Sequence, residues 1–125
     1  MIIDSWAWIE FLKYTEKGRK VEGFLFNERC YTCLTSLAEI MEWTLKNGLQ
    51  KRIETIKDKI KTASTIINLN EQAATLAAEI NYQRKKSIKN WGIMDSFVVA
   101  TSIITNLKIL TGDDHFKDLP NVEML

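Results

Sequence analysis

Short, densely apolar runs alternate along the chain with longer stretches in which apolar residues return every three or four positions. "MII" (1–3) reads as a short buried strand ending at Asp4. A helical pattern follows through "SWAWIEFLKY", where Ser5 is the expected N-cap because its hydroxyl can accept from a free amide of the first turn. "CYTCL" reads as a second strand. "TSLAEIMEWTLKNG" then predicts a helix with Leu37, Ala38, Met41 and Leu45 on one face, closing at Gly48. Ile53, Ile56, Ile60, Ala63 and Ile67 form an apolar stripe along a lysine-rich helix, and Leu76, Ala77 and Ile80 mark another. "MDSFVVATSII", from Met94 to Ile104, is apolar nearly all round, as expected of a helix buried on most sides. Asp95 stands in its first turn, where a negative charge meets the positive end of the helix dipole. "KIL" (108–110) is a late strand and "VEML" a candidate last one.

Strands that alternate with helices imply parallel pairing. The expected fold class is therefore α/β, a three-layer α/β/α sandwich with a short, mostly parallel central sheet flanked by helices. There is no internal repeat or low-complexity stretch, and Pro120 is the single proline, so residues 1–125 are expected to form one domain. A chain of 125 residues, 46% of them hydrophobic, is long enough to bury a core without staples. In sheets of this kind ligands bind beyond the carboxyl ends of the strands, and Asp4 and Asp113 each lie at or just past such an end.

Composition narrows the context. Cys30 and Cys33 are too few for a disulfide scaffold, and three apart on a strand they point to opposite faces about 10 Å apart. No early segment resembles a signal peptide, and no apolar run exceeds four residues, so no membrane span is expected. The expected setting is a reducing cytoplasm. The net charge of +1 conceals an asymmetry: residues 44–94 carry ten Lys or Arg against four acids, the remainder seven against twelve. "KRIETIKDKIK" (51–61) and "RKKSIK" (84–89) can supply phosphate contacts, although such lysines are also what the solvated faces of amphipathic helices require. His115 is the only histidine, which excludes a site of several imidazoles and leaves any Ser-His-Asp chemistry dependent on that one residue. Trp6, Trp8, Trp43 and Trp91 read as core or interface anchors, with stacking on an unpaired base as the alternative for Trp91.

The acids carry the chemistry. Asp4, Glu39, Asp95 and Asp113 fall in apolar surroundings, after a strand or early in a helix, with Asp114 beside the last. Burying one uncompensated charge costs several kcal/mol, and like charges nearby add to it. A cation resolves the conflict. Oxygen-only ligands without a His or Cys cluster suit Mg²⁺ or Mn²⁺, which can polarise a phosphodiester and stabilise its leaving oxygen.

Four segments, "MIIDSWAWIEFL", "LTSLAEIMEW", "IMDSFVVATS" and "ILTGDDHF", resemble in order and spacing the signature segments of PIN domains, and those of VapC-type toxin ribonucleases in particular. Matched residue by residue, the resemblance implies a catalytic acidic cluster of Asp4, Glu39, Asp95 and Asp113, with Asp4, Asp95 and Asp113 holding the metal. Ser5, Thr111 and Asp114 are accessory to it, Asp113 being preferred over Asp114 by its distance from Thr111. Trp6 stands where the family often has a second small hydroxyl residue, and either narrows the mouth of the site or packs beside it. The implied activity is metal-dependent hydrolysis of RNA with Mg²⁺ or Mn²⁺ as cofactor. Arg84, Lys85, Lys86 and Lys89 are candidate RNA contacts. The implied partners are a cognate antitoxin and a second copy of the chain in a homodimer, and Trp6, Trp8 and Phe11 are candidates for either contact or for the core.

Two other functions fit parts of the pattern. A receiver-like phosphoacceptor domain also binds Mg²⁺ at strand tips, but needs its acid pair after the first strand, and here the pair comes late. A non-catalytic nucleic-acid or protein-binding module would keep the fold and bind RNA without metal-dependent cleavage.

Overall fold

Ile2 and Ile3 are both fully buried and point to opposite faces of a sheet, so this two-residue strand, β1 (Ile2–Ile3), seeds two separate cores. The computed structural model describes residues 1–125. After β1 the chain runs through α1 (Ser5–Leu12), α2 (Glu16–Asn27), β2 (Tyr31–Cys33), α3 (Leu34–Lys46), α4 (Ile53–Ala63), β3 (Thr65–Ile67), α5 (Glu71–Arg84), α6 (Ile93–Thr105), β4 (Ile109–Thr111) and β5 (Val122–Met124). Short 3₁₀ turns cover Gln50–Arg52 and Asp114–Phe116. The five strands form one sheet in the order β3-β2-β1-β4-β5, every pair parallel.

One core packs Ile3 and Leu110 against Ala7 and Trp8 of α1, Val21 of α2, Ile40 of α3, and Ile56 and Ile60 of α4. The other packs Ile2 and Ile109 against Val98 and Val99 of α6, Trp91 and Phe116. Helices on both faces of a parallel sheet are the expected sandwich, and the sheet is parallel throughout.

Four local expectations are corrected. Ser5 is the first residue of α1 rather than its cap; Asp4 holds the N-cap position with no side-chain capping bond. The isoleucine stripe does not run on as helix to Ile67: α4 ends at Ala63, Ser64 is extended, and Thr65, Ile66 and Ile67 pair with Tyr31, Thr32 and Cys33. The free edge of β2 offers those β-branched residues a ladder, which outweighs the helical spacing of Ile67. On α3 the buried residues are Ser36, Ile40 and Thr44, with Leu37 and Met41 partly buried and Ala38 and Leu45 exposed. The Thr44 hydroxyl donates to the Ile40 carbonyl at 2.8 Å, which removes the cost of burying it. Finally, α2 is a helix that the sequence pattern does not predict, because "EKGRKVEGFLFN" is polar and holds two glycines. Thr15 caps it by accepting from the Gly18 amide at 3.0 Å. A Cβ on Gly18 would overlap the Glu10 carbonyl, so only glycine lets α2 press this closely on α1.

Candidate active site

The strand order reverses direction at β1, which lies between β2 and β4, and ligands gather at such a switch point. Asp4 follows β1 there, its amide extending the ladder to the Leu110 carbonyl at 3.1 Å. Its carboxylate is 3% exposed, and Thr111 at the end of β4 donates a hydroxyl hydrogen bond to Oδ2 at 2.8 Å. Burial pushes the Asp4 pKa up to about 7; the Thr111 bond opposes the rise, and the charges of Glu39 and Asp95 add to it. The Thr111 oxygen also accepts from the Asp113 amide at 3.1 Å, which ties the turn after β4 to the Asp4 carboxylate.

Three more acids surround this one. Glu39, on α3, accepts from the Ser5 hydroxyl at 3.1 Å; burial raises its pKa, with Ser5 opposing and Asp95 adding. Asp95, in the first turn of α6, accepts from the Gly92 amide at 3.1 Å and so closes the helix start. Burial raises its pKa too, the Gly92 bond opposes, and the charge of Asp113 adds. Asp113 accepts from the His115 amide at 2.9 Å, and the same oxygen lies 2.9 Å from His115 Nδ1. Asp114 is exposed.

Four separate elements thus supply a chain of neighbouring charges, in which Asp4 feels Glu39 and Asp95, Glu39 feels Asp95, and Asp95 feels Asp113. No Lys or Arg forms an ion pair with Asp4, Glu39 or Asp95. No three side chains of His, Cys, Asp or Glu type already converge as a ready-made ion cage, since Asp95 and Asp113 are turned toward their own backbone turns. The donor set still fits a hard divalent cation: it is all oxygen and collectively acidic, and Asp4, the one buried member, has no Lys or Arg partner.

Trp6 bounds this site. Its ring lies against Gly112, where any Cβ would fall inside the indole, and Lys17 Nζ is 5.3 Å from the ring centroid. The close approach had one sequence signal, a glycine directly after a buried strand. A cleft of about 590 Å³ lies elsewhere and is lined by residues including Phe11, Tyr14, Leu25 and Lys59, with none of the four acids.

The basic and aromatic candidates separate. Lys85, Lys86 and Lys89 are exposed. Arg84 is not a free phosphate contact: its side chain is 14% exposed and forms a fork with Asp118. Trp91 is buried and donates to Ser96 Oγ at 2.8 Å, which removes it as a stacking surface for a base. Trp8 is likewise core, with its indole N–H bonded to Thr32 at 3.0 Å, and Phe11 is partly buried against the same cluster. The Arg84–Asp118 pair had no sequence signal, because its members are 34 residues apart.

A family model described as PIN domain matches residues 1–122. The chain belongs to the PIN-domain family. The PIN fold is also what solved structures share with it. A sarcin-ricin-loop-cleaving VapC toxin of Mycobacterium tuberculosis superposes with a TM-score of 0.79 at 10% identity, covering 98% of this chain and 97% of that one. A DNA-bound VapBC of Salmonella typhimurium gives 0.77 at 17% identity, covering 99% and 95%. A toxin–antitoxin complex of Klebsiella pneumoniae gives 0.76 at 18% identity, covering 98% and 95%. No curated protein sequence matches the chain.

Proposed function

We propose that this PIN domain is a metal-dependent endoribonuclease and the toxin of a toxin–antitoxin pair, with residues 1–125 acting as one unit. The reading rests chiefly on four acids at the carboxyl edge of the sheet, three of which, Asp4, Glu39 and Asp95, form no ion pair with a Lys or Arg. Asp4, Asp95 and Asp113 would hold Mg²⁺ or Mn²⁺. A divalent ion there supplies Lewis-acid polarisation of the scissile phosphodiester.

The chain's own residues do the rest. Thr111 fixes the Asp4 carboxylate through its hydroxyl, and Ser5 fixes one oxygen of Glu39, leaving the other free to accept a hydrogen from the attacking water. Asp113 would have to leave its bond to His115 to hold the ion, while exposed Asp114 contributes only through solvent. Lys85, Lys86 and Lys89 contact the RNA backbone, a sequence-independent attraction that weakens with salt. No side chain acts as a nucleophile.

The partner assignment draws on the neighbours of the same fold, several described as toxin–antitoxin complexes. By that analogy the chain pairs with an antitoxin that covers the acids, and with a second copy of itself, in the cytoplasm. No helix is long and apolar enough to cross a membrane.

Asp4→Asn tests the assignment. It removes the central charge, keeps an acceptor for Thr111 and preserves shape, so cleavage is expected to vanish while cooperative unfolding persists. A fully active Asp4→Asn enzyme excludes the scheme, and RNA binding without cleavage by the unmodified chain favours the non-catalytic module.

A further inference from the structure

Arg84 ends α5 and reaches away from its own helix. Its Nη1 donates to Asp118 Oδ2 at 3.0 Å, while Nη2 donates to Asp118 Oδ1 at 2.9 Å and to the His115 carbonyl at 2.7 Å. The guanidinium carbon lies 4.1 Å from the centroid of the Trp91 ring. One planar group therefore joins three segments: the end of α5, the loop that enters α6, and the turn that follows β4. Lysine cannot replace it there, because a single ammonium offers neither the fork nor the stacking face.

Both far ends of this brace lie beside an acid of the candidate site. On one side Trp91 donates to Ser96 Oγ, next to Asp95 in the first turn of α6, and Ser96 also donates to Asn81 Oδ1 at 3.2 Å. On the other side His115 is the residue whose amide holds the Asp113 carboxylate. Trp91 also packs on Phe116, with centroids 5.1 Å apart, so the loop and the turn share an apolar contact beneath the guanidinium. The charge of Arg84 reaches Asp95 as well, favouring its ionised form.

We propose that Arg84 is a positioning residue that locks the start of α6 to the turn after β4, and so sets the placement of Asp95 relative to Asp113. Its consequence for turnover rests on the nuclease reading above; the locking itself does not. Residues that orient a metal-binding carboxylate from behind typically change affinity or activity 10- to 100-fold when removed.

The test compares R84M, R84K and D118N in the full chain with the unmodified protein, using RNA cleavage in Mg²⁺ and amide hydrogen exchange without metal. Asp118 is well exposed, so D118N removes the fork even if R84M fails to fold. The expected result is a kcat lowered by roughly 10- to 100-fold at unchanged KM in R84M and D118N, with no rescue in R84K. Exchange at the Gly92, His115 and Phe116 amides is expected to quicken while the strands stay protected. A raised KM at full kcat overturns the proposal and returns Arg84 to a phosphate-binding role. Unaltered exchange at those amides in folded R84M or D118N also overturns it, whether or not the protein cuts RNA. Absence of cleavage by the unmodified chain counts against the nuclease reading alone, and exchange then decides the brace.

Discussion

Asp4 carries the sharpest residue-scale prediction. Its folded pKa of about 7 lies above the ordinary value of 3.8, so between those limits the folded protein binds more protons than the unfolded chain. Asp4's contribution to stability in metal-free buffer must then fall as pH rises from about 4 to about 7 and level off above, the reverse of a salt-bridged aspartate. Urea midpoints in EDTA at about pH 5 and about pH 8 are expected to show this loss, and Asp4→Asn to remove Asp4's share of it; an identical slope in the variant contradicts it. The acids were legible in the sequence only as a set: a carboxylate after an apolar run is common by itself, but four such segments stand in order at suitable spacing. The hydrogen bonds that aim them were not. Local pattern makes Ser5 a helix cap and the family resemblance makes it accessory to the acids; the second holds, and only the fold shows that its partner is Glu39, 34 positions away. Arg84 is hidden in the same way: "RKKSIK" presents four similar charges, and only the fold shows which one is buried in a fork with Asp118.

At the scale of elements, the two glycines of α2 make opposite predictions. Gly18 is buried, and a Cβ there would collide with the Glu10 carbonyl, a backbone atom that cannot step aside. Gly18→Ala is expected to destabilise by about 1–3 kcal/mol through overpacking. Gly23 is exposed with open space around it, so Gly23→Ala should stabilise by about 0.5–1 kcal/mol, the usual helix-interior gain. Denaturant midpoints of the two variants decide the matter, and equal shifts would refute the packing described for α1 and α2. Helix α6 was readable because its segment is apolar nearly all round, as a helix buried on most sides requires. Strand β3 was not, because its three residues acquire a preference only when β2 supplies a free edge, and Ile67 sits where the preceding helix would also place an apolar residue. Helix α2 was hidden by a polar composition that its partner α1, not its own sequence, makes stable.

For the whole molecule, the parallel sheet collects chemistry from distant parts of the chain. Asp4 and Thr111 are 107 positions apart and joined by one hydrogen bond, because β1 and β4 are neighbours at the switch point. The alternation of strands and helices made this architecture readable, but not the strand order, which decides which tips meet. Placing Glu39 and Asp95 near the buried Asp4 leaves the fold with a repulsion that a divalent ion at the proposed site would relieve. Mg²⁺ or Mn²⁺ should therefore raise the melting temperature, by the equivalent of about 2.7 kcal/mol at a hundredfold excess over Kd. The gain should grow with pH as the carboxylates ionise. A melting curve unmoved by millimolar Mn²⁺ contradicts that expectation.

The most direct measurement is cleavage of a mixed pool of structured RNAs by the purified chain in Mg²⁺, in Mn²⁺ and in EDTA, with Asp95→Asn run beside it. Cutting that requires the metal and disappears in folded Asp95→Asn is the predicted result. Cutting that persists in EDTA, or in the variant, contradicts the acidic cluster as the catalytic centre.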